Sequence, residues 1–305
     1  MRLSTLALAA ALSLSGAAHA APPAHETGRA PMADGAIGYE VFGRGRPGLP
    51  VIVINGGPGL SHAYLMMNDL WPRIAADRMV VVYDQRGTGA SRAVRTGAPQ
   101  TMDAQVADLE ALRSKLGLRR FAVVGDSFGG LIAMAYASAH PEHVAKLVLS
   151  DSAAPSRASM VHLLPQTFPD VEAADDAEQA RLGAGTTAAA RASLRDHFAM
   201  IFYSPEMRDA YLARMGDLGF EPEVSQAMSK ATADLDLTPR LASFDFPTLV
   251  ITGRYDMNVA PVTAWRIAHA IPHAQFVVFE KSGHLPSYEE PERYQAVLTR
   301  FLNGG

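Results

Sequence analysis

The sequence predicts a mostly parallel, doubly wound α/β fold whose core is interrupted by a helical insertion. Short, continuous apolar runs recur along the chain between turn residues, which is typical of strands buried on both faces of a parallel sheet. Segments with helical spacing lie between them, such as the one in which Leu109, Leu112 and Leu116 follow steps of three and four. This alternation of strands and helices predicts the fold class. The strand-like runs are 51–54, 79–83, 121–124, 147–149, 248–251 and 276–279.

One stretch, 155–242, breaks the alternation because it contains amphipathic helical patterns and no strand-like run. Leu194 and Phe198 belong to one of its apolar stripes. We interpret the stretch as a helical cap inserted into a core that consists of 36–154 and 243–305. The alternative is an independent second domain, but the stretch is shorter than the roughly 100 to 200 residues of a usual domain.

Residues 1–20 have the three parts of a secretory signal peptide. Arg2 supplies the charged start, an apolar run follows, and Ala18-His19-Ala20 fits a cleavage site. A retained membrane helix is the alternative, but about 12 apolar residues are too few to cross a bilayer, which takes roughly 20. We therefore expect cleavage after Ala20 and a periplasmic or secreted protein that no longer contacts a membrane. Residues 21–35 are rich in Pro, Ala and Gly without periodicity, and we interpret them as an N-terminal arm leading to the first strands.

Composition excludes several classes of function. The chain has 27 basic and 31 acidic residues and a net charge of -4, so no basic surface is expected to hold nucleic acid. It contains no cysteine, which rules out disulfides, thiolate catalysis and cysteine-ligated metal. A nucleophile must then be Ser, Thr, Lys or a carboxylate. Neither a cofactor nor a metal is expected, since His140 and His143 lack the i, i+4 spacing of a zinc helix.

Gly125-Asp126-Ser127-Phe128-Gly129 fits the G-x-S-x-G pattern of a serine nucleophile. A strand-like run leads into it and a helical pattern leads out, which is the strand-to-helix turn that the pattern requires. Small neighbours give the strained backbone room, and the helix N-terminus favours negative charge developing near Ser127. Chance occurrence of the pattern is the alternative, and the flanking elements make it the weaker one.

A serine nucleophile needs a base and a carboxylate that orients the base, and in this arrangement the chain order is Ser, Asp or Glu, His. Asp256 follows the run 248–251 and His284 follows the run 276–279, so both are expected at the edge of the sheet where Ser127 emerges. Asp151 also ends a strand and is an alternative acid, although we interpret it as a cap-entry or helix-capping residue. His62 follows the glycine loop and is either a pocket residue or the solvated start of a helix.

Charge on the substrate oxygen in the transition state needs two preorganised N–H donors. Phe128, the residue after the nucleophile, is expected to supply one. The glycine loop after the first buried strand is expected to supply the other, through Gly57, because such a loop provides the second donor in this arrangement. An ordinary glycine turn is the alternative.

The chain resembles the prolyl iminopeptidase group of serine peptidases within the α/β-hydrolase fold, including its tricorn-interacting relatives. The resemblance covers the core from Ala36 to Leu302 and implies that fold, with its inserted helical cap. It departs from the family at Asn55, where relatives usually have His. The stretches that carry it are Asn55-Gly56-Gly57-Pro58-Gly59, Asp84-Gln85-Arg86-Gly87-Thr88-Gly89-Ala90-Ser91, Gly125-Asp126-Ser127-Phe128-Gly129-Gly130 and Gly253-Arg254-Tyr255-Asp256.

The resemblance implies an enzyme that removes an N-terminal residue, often proline, from short peptides. It also implies glutamates that hold the substrate ammonium. The position after the triad acid, acidic in some relatives, is Met257 here, and Ser225 falls near the expected cap glutamate. Glu221 and Glu223 lie close by and are therefore the substrate-binding candidates together with Met257, the alternative being a solvated helix start.

The predicted function is thus that of an exported serine hydrolase that cleaves an amide bond of a small peptide or amide through an acyl-enzyme. Two other functions fit the same residues. An esterase or lactonase would use the same nucleophile, base and oxyanion donors, and a binding protein could keep the fold without turnover.

Overall fold

The computed structural model describes residues 24–93, 97–183 and 186–304, and one eight-stranded sheet runs through them. Its spatial order is β1-β2-β4-β3-β5-β6-β7-β8. The two pairs made by β2 are antiparallel, and all pairs from β4 to β8 are parallel. The strands are β1 His25–Met32, β2 Gly35–Phe42, β3 Gly48–Ile54, β4 Arg78–Tyr83, β5 Phe121–Asp126, β6 Val144–Ser150, β7 Thr248–Gly253 and β8 Gln275–Phe279. The predicted α/β fold class is confirmed.

Helices cover both faces of the sheet and also fill the interval between β6 and β7. The isolated bridge between Ser156 and Asp236 joins the two ends of that interval. The helices are α1 Leu70–Ile74, α2 Met102–Lys115, α3 Phe128–Ala139, α4 Leu164–Thr167, α5 Pro169–Leu182, α6 Thr187–Met200, α7 Pro205–Arg214, α8 Pro222–Ala231, α9 Thr238–Leu241, α10 Pro261–Ala270, α11 Pro286–Glu289 and α12 Pro291–Leu302. Helices α4 to α9 therefore occupy the stretch for which the sequence predicts a cap.

The central strands have continuous apolar runs because each of their faces packs against a different layer. In β3, Ile52 and Ile54 lie in one apolar cluster, whereas Val51 and Val53 lie in the cluster on the other side. Full burial of one such side chain contributes about 1.5–3 kcal/mol. Neither face of these strands tolerates a polar residue without a partner, which is why no polar alternation marks them in the sequence.

The prediction of an irregular arm at 21–35 is wrong, because strand β1 lies within it. The strand pairs antiparallel with β2, beginning with His25 opposite Phe42. Its side chains are mostly exposed at the edge of the sheet, so it needs no apolar run and lacks the pattern on which strand prediction depends. Ala33 and Asp34 form the two-residue turn between the strands, and Gly35 begins β2 opposite Met32.

The predicted signal peptide, residues 1–20, lies outside the described residues. Within the described part of the chain, no helix has both the length and the apolar character needed to cross a bilayer.

Candidate active site

Ser127 lies at the sharp turn between β5 and α3, with φ 52° and ψ -120°. Hydrogen bonds hold this unusual backbone in place: its N–H donates to the carbonyl of Ser150 at 3.0 Å, and its carbonyl accepts from Gly130 and Ala153 at 2.9 Å. The turn also needs glycine on either side. A Cβ added to Gly129 would lie 2.1 Å from the carbonyl oxygen of Ile54, which explains the small residue in the motif.

The structure brings Ser127, His284 and Asp256 together. Nε2 of His284 lies 3.0 Å from Oγ of Ser127, and Nδ1 of His284 lies 2.7 Å from Oδ2 of Asp256. The other carboxylate oxygen of Asp256 accepts the N–H groups of Asn258 and Val259 at 2.9 and 2.8 Å. Asp256 is fully buried and His284 is 4% exposed, so all three groups interact in a medium of low polarity.

The carboxylate of Asp256 raises the pKa of His284. Burial lowers the pKa of His284, but the charge of Asp256 and its hydrogen bond outweigh burial, and the pKa lies above its ordinary value of 6.5. An imidazole in this position can accept a proton from Ser127 and hold it beside the buried carboxylate. The backbone N–H of His284 also donates to the carbonyl of Ile201 at 2.8 Å, which ties the loop to the segment after α6.

Asp151 caps none of the described helices, so the helix-capping interpretation is wrong, but the residue does lie between β6 and the inserted stretch, as a cap-entry residue would. The residue is fully buried with φ 45°, and its Oδ1 accepts the N–H of Gly253 at 2.8 Å while Oδ2 accepts the hydroxyl of Ser150. Burial, and then the charge of Asp256, raise the pKa of Asp151 well above its ordinary value. The hydrogen bond to Nδ1 of His284 is made by Asp256, so Asp256 and not Asp151 is the acid that orients the base.

The glycine loop after β3 faces the helix N-terminus at Phe128, and both Gly57 and Phe128 line the cavity above Ser127. A tyrosine that the sequence did not single out holds this loop. The N–H of Gly56 donates to the Tyr64 hydroxyl at 2.5 Å, and that hydroxyl donates to Oδ2 of Asp126 at 2.5 Å. Asp126 is the variable position of the serine motif, so no pattern marked it.

The Asp-Gln-Arg-Gly stretch supports the same loop from β4. Oδ1 of Asp84 accepts both the backbone N–H and Nδ1 of His62, at 2.9 and 2.7 Å, and Nε2 of His62 lies 3.2 Å from Oε1 of Glu40. Gln85 donates to the carbonyl of Asn55 at 2.6 Å. His62 is therefore buried between two carboxylates and is neither a residue of the catalytic cavity nor a solvated helix start.

A cavity of about 610 Å³ opens over Ser127 and His284. Its walls come from the glycine loop, from the helix after Ser127 and from α5, α6 and α8 of the inserted stretch. His197 of α6 is one of its residues, and burial followed by the charges of His284 and His162 lowers its pKa to about 4. The polar side chains along the walls are Tyr64, Asp126, Ser127, Gln179, Ser193, His197, Ser225, Gln226, Asn258 and His284.

The structure does not bring the three sequence-derived substrate-binding candidates to this cavity. Glu221 forms an ion pair with Arg92, Glu223 is exposed on α8, and Met257 packs against the apolar cluster. Their assignment as substrate contacts is therefore wrong. It relied on their positions in the sequence relative to Asp256 and to the expected cap glutamate, whereas the direction in which each side chain points depends on tertiary packing. Ser225 does line the cavity.

Two groups of described residues place metal-ligand atoms within 4.8 Å of one another: Asp151 with Asp256 and His284, and Glu110 with His140 and His143. In the first group both nitrogens of His284 are already hydrogen-bonded, one to a hydroxyl and one to a carboxylate. In the second, the guanidinium of Arg113 contacts both oxygens of Glu110. A metal ion would have to displace these partners in either place.

Comparison with known proteins identifies the family of the chain. The family profile of the α/β hydrolase fold matches residues 50–291. The chain belongs to the α/β-hydrolase family. It is 30% identical to a proline iminopeptidase of Levilactobacillus brevis, over 87% of this chain and 92% of that protein, and 29% identical to one of Lactobacillus delbrueckii subsp. lactis, over 86% and 92%. The resemblance to the prolyl iminopeptidase group is confirmed, as is the prediction that the chain is a hydrolase of the serine class.

Two solved structures show how far the likeness of this hydrolase extends. A proline iminopeptidase of Mycobacterium smegmatis superposes with a TM-score of 0.67 at 25% identity, covering 91% of this chain and 98% of the other. An esterase of Thermogutta terrifontis superposes with a TM-score of 0.69, also at 25% identity and with the same coverage. The fold is therefore shared with proteins named for amide and for ester cleavage.

Proposed function

We propose that this hydrolase cleaves an amide bond of small peptides or amides through an acyl-enzyme on Ser127. The observation that carries the proposal is the chain of short hydrogen bonds from Asp256 through His284 to Ser127, at the floor of a cavity large enough for a small substrate. The relatives named proline iminopeptidase support an aminopeptidase that releases an N-terminal residue such as proline.

In the proposed reaction, Oγ of Ser127 attacks the substrate carbonyl carbon while Nε2 of His284 takes its proton. Asp256 holds the Nδ1–H of the imidazole and stabilises the imidazolium that forms. The N–H groups of Gly57 and Phe128 stabilise the negative carbonyl oxygen. The imidazolium then gives its proton to the leaving nitrogen, the C–N bond breaks and the acyl group stays on Ser127. A water molecule, deprotonated by His284, then attacks the acyl carbon. The bond from that carbon to Oγ breaks, the carboxylic acid product leaves and the imidazolium returns its proton to Oγ of Ser127.

The test is Ser127→Ala with proline p-nitroanilide as substrate. Because the members of a triad act as a unit, kcat is expected to fall by roughly 10⁴ to 10⁶-fold. Ser138→Ala is the matched control, since Ser138 lies at the other end of the same helix and its hydroxyl donates to the carbonyl of Met134. Residual activity of the Ser127 variant within tenfold of the control would refute the assignment. A fluorophosphonate should label the wild type and spare the variant.

An esterase is the second candidate, and the likeness to the esterase of Thermogutta terrifontis favours it. Ester and amide substrates pass through the same tetrahedral intermediate, so only the cavity discriminates between them. The ratio of kcat/KM for proline p-nitroanilide to that for p-nitrophenyl acetate decides the question. A ratio far below one would replace the peptidase assignment with an esterase and leave the roles of the three site residues intact.

We also propose that the chain is exported to the periplasm or medium after loss of residues 1–20. The charged start, apolar run and small-residue site of the N-terminus support this. N-terminal sequencing of the protein recovered outside the cytoplasm should begin at Ala21, and a sequence that begins at Met1 would contradict it.

A further inference from the structure

We propose that Asp126 binds the protonated amine of the substrate, so that the carboxylate which selects a free amino terminus is part of the serine motif itself. The inference rests on the proposed function and names a specificity residue for it. An aminopeptidase needs a group that prefers an ammonium over a neutral substituent. The glutamates expected from the sequence do not reach the cavity, so another group must make this contact.

The position and bonding of Asp126 suit this role. It is the last residue of β5, directly before Ser127, and it lines the catalytic cavity while being only 3% exposed. The Tyr64 hydroxyl donates to Oδ2 at 2.5 Å, and no hydrogen bond reaches Oδ1 from the described residues. Tyr64 thus orients the carboxylate and leaves one oxygen for a ligand.

The charges of the residues that line the cavity also favour a cationic ligand at Asp126. Its described lining residues include no Lys, Arg or Glu, and Asp126 is their one carboxylate. Burial raises the pKa of Asp126 to about 6, so the group is mainly ionised at neutral pH. Among the described residues Asp126 forms no ion pair, and the charge of His284 is the one that favours its carboxylate. A ligand that brings a positive charge therefore gains an attraction to a buried carboxylate that is costly to leave unpaired.

The short distance between the amine and the reacting carbon of an aminoacyl substrate fits the placement of Asp126 next to Ser127. The carbonyl carbon under attack must lie about 3–3.5 Å from Oγ of Ser127. In an aminoacyl substrate the amine nitrogen is two bonds from that carbon. Asp126 and Ser127 are neighbours in the chain and line the same cavity, which places the carboxylate on the side from which a nitrogen so close to the reacting carbon can be contacted. A protonated proline nitrogen still carries two N–H donors, one of which can bind Oδ1.

The experiment measures competitive inhibition of p-nitrophenyl acetate hydrolysis by two molecules of the same shape, L-prolinamide and the uncharged tetrahydrofuran-2-carboxamide. The ratio of their inhibition constants reports the preference for a cation and does not depend on the turnover of the ester. A hydrogen bond to a charged group predicts that the wild type binds L-prolinamide about 10 to 100-fold more tightly. In Asp126→Asn this preference should fall to about threefold or less.

Two further variants separate binding from a structural role. Tyr64→Phe keeps the carboxylate but removes both its hydrogen bond to Oδ2 and the anchor of Gly56, so it should slow ester turnover and lower the inhibition ratio less than Asp126→Asn does. Glu223→Gln, which removes an exposed carboxylate of α8, is the matched control and should change neither quantity. An Asp126→Asn variant with slower ester turnover but the wild-type ratio would overturn the proposal and make Asp126 a positioning residue.

The wild type alone also decides the matter, should Asp126→Asn fail to fold. Equal inhibition by the charged and uncharged molecules would overturn the amine site while ester hydrolysis still supported the proposed function. Absence of both ester hydrolysis and fluorophosphonate labelling would overturn the proposed function and, with it, this inference.

Discussion

Because of His62, the free energy of unfolding of this hydrolase should fall as pH rises into the alkaline range. Replacing His62 should remove that fall. Its imidazole is 11% exposed and lies between Asp84 at 2.7 Å and Glu40 at 3.2 Å. Burial lowers the pKa of His62, but its hydrogen bonds to Asp84 and Glu40 and their charges outweigh burial and raise the pKa to about 9. The positive charge is therefore stabilised in the folded state.

The size of the effect follows from linkage between protonation and folding. A shift from 6.5 to about 9 corresponds to about 3 kcal/mol, since each unit is worth about 1.4 kcal/mol. Because the folded pKa is raised, this stability is fully present below pH 6.5 and is lost as pH rises through about 9. The same ion pair lowers the pKa of Glu40 to about 2, so its stabilising effect should also vanish as pH falls towards 2.

Urea unfolding at pH 6.0 and pH 9.5 measures the difference, with the fluorescence of the buried Trp71 as the signal. In the wild type, the free energy of unfolding should drop by about 3 kcal/mol more between these pH values than in His62→Gln. His269→Gln, which changes an exposed histidine of α10, should follow the wild type. Parallel behaviour of the wild type and the His62 variant would refute the reasoning.

Three other predictions follow from the site and its turn. Asp256→Asn should present an amide N–H to Nδ1 of His284 and favour the tautomer that cannot accept the serine proton, so kcat should fall roughly 10⁴-fold; a loss below tenfold in steady-state kinetics would contradict this. Activity should decline as pH falls through a value above 6.5, since His284 acts only when neutral and its pKa is raised; a pH–rate profile that is flat down to pH 5 would exclude it as the base. Gly129→Ala should lower the free energy of unfolding by about 3 kcal/mol or more in urea titrations, because the new Cβ would lie 2.1 Å from the carbonyl oxygen of Ile54. A Cβ added at Gly216 meets nothing within 4 Å, so Gly216→Ala should leave the free energy of unfolding unchanged.

The central strands and the nucleophile turn were predictable because their signals are local. A strand buried on both faces must be apolar along its length, and a strand-to-helix turn that exposes Ser127 requires glycine around it. The edge strand β1 was not predictable in this way. One of its sides faces solvent and its hydrogen bonds are supplied by β2, so its own sequence carries little pattern.

The sequence by itself determined the fold class, the serine motif and the chain order that predicts Asp256 and His284 near Ser127. These depend on periodicity, turn chemistry and the fixed edge at which parallel strands end. Only the tertiary structure decided which carboxylates face the cavity. Asp126 lies beside the nucleophile with one oxygen held by Tyr64, Asp151 is buried against β7, and Glu221 is turned away to an arginine. Those outcomes depend on packing between segments far apart in the chain, and burial and neighbouring charges then set what each carboxylate can do.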